Sequence, residues 1–221
     1  MIPVQGAVKL LWPLDSKTCT SEVLSGEYQE NQPCFKSFGP QPEGFLFNSM
    51  VFDGASYLDF HVDFPAFDVE HYSFHGFFYL TQPSAALFNY RVQDTIREDE
   101  LWVVNGILRL YSRIDRKHKI QNGVTTIYMN TWYFISLVVD HFGYVHVYVN
   151  RRKDIYAPVG GRKNIDEPGN LRIGGSFNVV DTFLTGRIIC FGMSWKTYNP
   201  DENEIRTLCQ TTPWIRTYNN Q

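Results

Sequence analysis

Residues 132–150 read WYFISLVVDHFGYVHVYVN, and the periodicity of this stretch decides the class of the fold. In its second half Val145, Val147 and Val149 alternate with Tyr144, His146 and Tyr148. In its first half Tyr133, Ile135, Leu137 and Val139 alternate with Trp132, Phe134, Ser136 and Val138. Successive side chains of a strand point to opposite faces, so each run has one face for a core and one for the outside. The valines recur every second residue rather than every third or fourth, which excludes a helix. β-Branched and aromatic residues also suit a pleated surface. Joined by Asp140–Gly143, the two runs predict an antiparallel hairpin. Ile135, Leu137, Val139, Val145, Val147 and Val149 are expected to face a second sheet. The opposite set is large and aromatic, which makes Tyr144, His146 and Tyr148 candidates for a ligand-binding face.

The 221 residues suit one large β domain, long enough to bury a real core. Aromatic residues make up 16% and charged residues only 19%, while the 43% apolar content is spread in short pieces. No apolar run reaches the ~18 residues of a membrane-crossing helix, so no membrane insertion is expected. The net charge of -3 argues against nucleic-acid binding, which needs many phosphate-neutralising side chains. The one basic stretch, Arg109–Lys119 (RLYSRIDRKHK), is interrupted by Asp115 and reads as a solvated strand end and loop. The opening MIPVQGAVKLLWPL lacks the basic segment, sustained apolar run and cleavage site of a secretory signal. Cysteines stand at positions 19, 34, 190 and 209, with no C-x-x-C pair to suggest zinc or redox chemistry. Four cysteines allow three pairings; Cys19–Cys34 and Cys190–Cys209 are the expected ones. Closing a loop of about 15 residues lowers unfolded-state entropy by roughly 3 kcal/mol in the simple chain model. Disulfides imply an extracellular or cell-surface setting.

Outward from the hairpin, Ala7–Leu14 reads as an edge strand stopped at Pro13. Residues 15–44 hold Cys19, Cys34 and several prolines with little periodicity, a long irregular insertion and a candidate recognition loop. Met50–Val62 reads as two strands around an Asp53–Gly54 turn, with Asp53 capping its own backbone. His71–Leu80 is a strand with Gly76 at a bulge or close approach, and Ala85–Arg91 is expected to pair with it. Asp94–Glu100 reads as a loop. Leu101–Val104 and Ile107–Tyr111 flank Asn105–Gly106, a type I′ hairpin signal. Lys119–Gly123 reads as a turn into a strand at Val124–Met129. Arg151–Gly169 reads as a second long connection, followed by strands at Asn170–Ile173 and Gly186–Trp195. The only helix signal is late: Asn199 as cap, Pro200 in the first turn and acidic residues after it, running to about Cys209. Residues 210–221 are a tail, and Trp12, Trp132 and Phe191 are assigned to the core.

A dozen short strands with one small terminal helix indicate a two-sheet sandwich. The chain also resembles the laminin-G-like and pentraxin-like group, within the concanavalin A-like jelly rolls. The resembling stretches are LWPLD (11–15), VFDGASYLDF (51–60), TWYFISLVVDHFGYVHVYVN (131–150), NLRIGG (170–175) and LTGRIICFGMSWKTYNPDENEIRTLC (184–209). Asn150–Arg151 departs from the Asp–Gly that the family often has, and the insertion after Leu14 is a second departure. The resemblance implies an all-β, two-sheet antiparallel jelly-roll sandwich with one short C-terminal helix, formed by residues 1–221 as a single domain.

The resemblance also implies calcium as a candidate cofactor, with Asp140 and Asp181 the candidate ligands among the loop carboxylates. Calcium takes about six to eight oxygens, so one acid decides nothing. The six histidines fall on separate segments and suggest no metal site. Jelly rolls of this group include glucanases, which need two facing carboxylates. The nearest acids, Glu98, Asp99 and Glu100, are contiguous and read as a turn. Exposed aromatics are the better functional signal, since they offer rigid contact area for sugars or proteins; Trp102 joins Tyr144, His146 and Tyr148 as a ligand-binding candidate. The expectation is a non-catalytic extracellular recognition or adhesion module. It would bind a glycan or a cell-surface protein through rim loops, alongside neighbouring domains of the same polypeptide. The alternatives are a pure protein–protein adhesion or structural domain of a larger receptor, and a polysaccharide-processing enzyme.

Overall fold

The computed structural model describes residues 8–16, 18–19, 37–62, 71–92, 97–114, 117–158, 169–179, 182–194 and 201–211. Its strands follow from the alternations above. They are β1 (Val8–Trp12), β2 (Phe38–Gly39), β3 (Ser49–Asp53), β4 (Leu58–Val62), β5 (Tyr72–Leu80), β6 (Ala85–Val92) and β7 (Arg97–Val104). The series continues with β8 (Ile107–Ile114), β9 (Lys117–Thr126), β10 (Trp132–Val139), β11 (Tyr144–Val149), β12 (Arg152–Pro158), β13 (Gly169–Ile173) and β14 (Thr185–Ser194). One helix, α1 (Glu202–Thr211), follows.

The strands form two antiparallel sheets. The larger has eight strands in the order β12-β11-β10-β5-β14-β3-β2, with β1 also on β14; the smaller has six in the order β4-β13-β6-β7-β8-β9. Along β14, β3 takes Thr185–Ile188 and β1 takes Phe191–Ser194, so the two share one edge in succession. The changeover is a bulge at Cys190, whose φ is 57° and whose N–H donates to the Pro13 carbonyl. Gly76 faces this region: a Cβ there would lie 3.1 Å from the Phe191 ring, a close approach as expected.

The inner faces enclose the main core. Ile135, Leu137, Val139, Val145, Val147 and Val149 all lie in it, as their alternation predicts. Phe74 packs on Phe88 and Tyr90 across the sandwich, with ring centroids 5.2 and 5.4 Å away. Each fully buried ring of this kind contributes about 1.5–3 kcal/mol. A second, smaller core lies on the outer face of the eight-stranded sheet under α1. There Phe77, Phe134 and Ile189 meet Ile205, Leu208 and Cys209, which recur at helical spacing. The Cys190–Cys209 disulfide crosses the same contact. Cys19 is also disulfide-bonded; its expected partner Cys34 lies outside the described residues.

Several local expectations are corrected. Ala85–Val92 does not pair with β5, because β10 and β14 occupy both edges of β5; β6 lies between β13 and β7 in the other sheet. The Asp53–Gly54 turn joins two strands as expected, and it carries the chain from the larger sheet to the smaller. Asp53 does cap its own turn, accepting from the Ala55 N–H and the Ser56 hydroxyl at 3.0 Å each. Residues 97–100 and 119–123, read as loop and turn, belong to β7 and β9, and 152–158 form β12. Their polar side chains hide the alternation. The Asn105–Gly106 turn is as expected, with φ of 52° and 75°. Asn199, the expected cap, lies outside the described residues; Asp201 Oδ1 accepts from the Asn203 N–H at 2.8 Å, and Glu204 reaches back to the Asp201 N–H at 3.4 Å, so Asp201 caps the helix. Trp132 is half-buried on the outer face against the smaller core, outside the main one.

β9 and β12 are the edges of opposite sheets, and a buried carboxylate joins them. Asp154 Oδ1 accepts from the Val124 and Thr125 N–H groups at 3.0 and 2.6 Å. Satisfying edge donors in this way closes the side of the sandwich beneath the candidate site.

Candidate functional site

The β10–β11 turn is the starting point. Asp140 Oδ1 accepts from the N–H groups of Phe142 and Tyr144, both at 2.9 Å. Gly143, at φ 79°, donates to the Asp140 carbonyl at 3.1 Å. The second carboxylate oxygen, Oδ2, lies 3.1 Å from His146 Nε2. Burial raises the Asp140 pKa, but hydrogen bonds from the Tyr144 backbone, His146 and the Phe142 backbone outweigh it and hold the carboxyl below its ordinary value. With Nε2 directed at Asp140, the other ring nitrogen, Nδ1, is buried and has no hydrogen-bond partner among the described residues.

From this turn the outward side chains of β11 meet those of β12. The Tyr144 and Tyr156 rings stack with centroids 5.1 Å apart and planes 5° from parallel. His146 lies 5.1 Å from Tyr156 and 6.3 Å from Tyr148, nearly parallel to the latter at 14°. Lys153 Nζ stands 5.3 Å from the Tyr156 centroid and 5.9 Å from that of Tyr148, at cation–π range. Burial, and then the Asp140 charge, push the Tyr148 phenol upward, so it stays a protonated donor. Tyr156 is 54% exposed and Phe142, at the turn, 71%. Together these residues make an aromatic platform at the outer edge of the larger sheet.

The structure therefore brings Tyr144, His146 and Tyr148 together, with Asp140 beneath them. Trp102 is not among them. It lies on β7 in the smaller sheet, opposite Ala86 and Arg109. Tyr156 and Lys153 are site residues that the reading of 151–169 as a connection concealed. The available signal was the pattern of Ile155 and Ala157 pointing inward on either side of Tyr156.

The oxygens of Asp140 serve two backbone N–H groups and an imidazole, and among the described residues no three metal-binding side chains cluster. Asp181 lies outside the described residues. Asp99 and Glu100 are neighbours on a strand and so point to opposite faces. Asp99 is buried, accepting hydrogen bonds from the Tyr72 hydroxyl and, at 2.7 Å, from Ser112. It is a polar group within the core.

No protein-family model matches the sequence, and no curated protein does. Solved structures match in fold. The botulinum neurotoxin serotype D binding domain aligns over 93% of this chain and 51% of its own at 14% identity, with a TM-score of 0.64. A further serotype D structure is that of the ligand binding domain in complex with N-acetylneuraminic acid. This chain spans about half the length of those toxin domains. Domain 4 of AbnA, an extracellular arabinanase from Geobacillus stearothermophilus solved with arabinotriose, aligns over 92% of this chain and 98% of its own at 16% identity, TM-score 0.66. Domains LG4-5 of the mouse laminin alpha1 chain align over 64% and 39% at 11% identity, TM-score 0.51. The two antiparallel sheets, and the likeness to laminin LG domains, a pentraxin and these binding domains, give the chain the fold of a concanavalin A-like jelly roll.

Proposed function

We propose that this chain is a non-catalytic recognition module that binds a glycan on the Tyr144–His146–Tyr148–Tyr156 platform. The observation that carries the reading is the exposed aromatic face. Tyr144 and Tyr156 are stacked within 5° of parallel, and Lys153 lies over the neighbouring rings. A sugar ring presents an apolar C–H face that packs on such rings, and the phenols and Lys153 ammonium can meet its hydroxyls. Two fold neighbours solved as saccharide complexes support the reading at the level of fold. This moves recognition from the rim loops to the sheet face. The disulfides support an extracellular or cell-surface setting. Among the described residues no helix is long and apolar enough to cross a membrane.

A glycan array run with calcium and with chelator tests the proposal. Binding that survives chelation and is lost in Tyr156→Ala and Tyr144→Ala is the expected result. No glycan signal in either condition would refute it. A protein ligand is the second reading, favoured by Phe142, whose ring is 71% exposed at the turn. Protein contacts concentrate on such aromatics. Capture of a protein partner that depends on Phe142, without glycan binding, would select it.

A further inference from the structure

The outer face of the larger sheet carries a second concavity, of about 500 Å³, between residues 42–44 and α1. Small-molecule sites span roughly 300–1,000 Å³. Trp132 and Phe134 form its floor, while Glu43, Asn150, Glu202 and Arg206 stand around it.

The turn beside this cleft is built at a cost. Asn150 and Arg151 both adopt positive φ, 46° and 72°, a region where glycine is favoured. Asn150 lines the cleft, and Arg151 stands next to it in the chain. Asn150 Oδ1 accepts from the Phe134 N–H at 2.9 Å. That bond fixes the orientation of the amide and leaves Nδ2 as a donor. Arg151 donates to Asp201, the cap of α1, at 2.8 Å. A glycine at 151 would relieve the backbone and leave the helix start untied. Arg151 is thus a positioning residue that ties the start of α1 to the turn beside the cleft.

Charge selects the class of ligand. Cations already lie on the nearby rings: Arg187 is 5.6 Å from the Trp132 centroid, and Arg206 is 5.7 Å from that of Phe77. The lining itself holds both signs, Arg206 against a cation and Glu43 and Glu202 against an anion. Glu202 is held by Arg206 at 2.8 Å. A neutral ring bearing hydroxyls satisfies the whole lining. One apolar face packs on the indole, hydroxyls donate to the two carboxylates, and one accepts from Asn150 Nδ2. We propose that this cleft is a saccharide subsite for a single neutral sugar ring, independent of the tyrosine platform.

The test is an NMR titration of the ¹⁵N-labelled 221-residue chain with the methyl pyranosides of glucose, galactose, mannose and N-acetylglucosamine. Concentrations reach roughly 50 mM, so that a millimolar Kd is visible. The expected result is movement of the Asn150 side-chain amide and the Trp132 indole N–H with at least one sugar. Trp132→Ala should weaken binding by about tenfold or more, as loss of a stacking anchor does. Arg151→Gly should weaken it several-fold, and Arg151→Lys should recover most of the loss. Static Asn150 and Trp132 signals with all four sugars would overturn the proposal, as would an equal response to tetramethylammonium. Shifts confined to Tyr144 and Tyr156 would refute the cleft while supporting the platform, so the two sites fail separately.

Discussion

The carboxylate of Asp140 and the imidazole of His146 form one unit, with Oδ2 and Nε2 3.1 Å apart at the closed end of the β10–β11 hairpin. The other oxygen of Asp140 caps the turn, so one side chain both shapes the loop and orients the centre of the platform. Asp140→Ala leaves two turn N–H groups without their acceptor and should cost about 1–3 kcal/mol. Asp140→Asn keeps an acceptor and should cost less. Because the folded pKa lies below the ordinary value, this stabilisation is present above the unfolded pKa and is lost as pH falls through the folded one. Urea unfolding of the three proteins at neutral and acid pH measures both effects.

His75 supplies an acid sensitivity of a different kind. It is fully buried on β5, neither ring nitrogen has a hydrogen-bond partner among the described residues, and burial pushes its pKa from 6.5 down to about 3. A methyl group at Gly192 would overlap the ring, so the imidazole sits directly on β14. The unfolded chain takes up a proton below pH 6.5 and the folded chain resists until about 3. Stability should therefore decline across that window, by up to about 1.4 kcal/mol per pH unit. His75→Leu should remove this slope and raise stability at pH 5, which denaturation across a pH series would show. An unchanged slope in the variant would rule His75 out as its source.

Asp154 should be the most sensitive polar position at the sheet edges. Its Oδ1 takes two backbone N–H groups of β9, and a methyl group at Gly123 would overlap its carboxylate. Asp154→Ala should cost about 1.5–3 kcal/mol, the range for charged hydrogen bonds, with Asp154→Asn intermediate. Gly123→Ala should cost about 1–3 kcal/mol through overpacking. Hydrogen exchange at Val124 and Thr125 should rise in all three, reporting that the two edges have parted.

The Cys190–Cys209 bond fastens α1 to β14 across the smaller core. Replacing both cysteines by alanine should cost about 2–4 kcal/mol. The loss should appear first in α1: helix amides lose exchange protection and the half-buried Trp132 changes its fluorescence. The hairpin amides of β10 and β11, embedded in the main core, should remain protected.

Much of this architecture was legible from local pattern. Val145, Val147 and Val149 turn inward because two-residue periodicity leaves no other choice once one face is buried. The Asn105–Gly106 and Asp53–Gly54 turns were legible because few residues accept their φ values. Strands rich in polar residues were not. Arg97–Glu100 and Lys119–Gly123 carry charge and amides that satisfy a sheet by pairing, not by apolar alternation. Tyr156 was missed for the same reason: Arg152, Lys153 and Asp154 precede it and read as a solvated loop.

Sequence alone determined that the chain is antiparallel β, that Tyr144, His146 and Tyr148 share a face, and that a short capped helix closes it. Tertiary structure decided which strands are neighbours. Only the fold puts β6 in the other sheet from β5, lays Tyr156 against Tyr144, and sets Glu43 and Glu202 around one cleft. Periodicity records which way each side chain points along its own strand. Which residues meet across strands depends on contacts between segments far apart in the chain, and those are settled by packing the whole core.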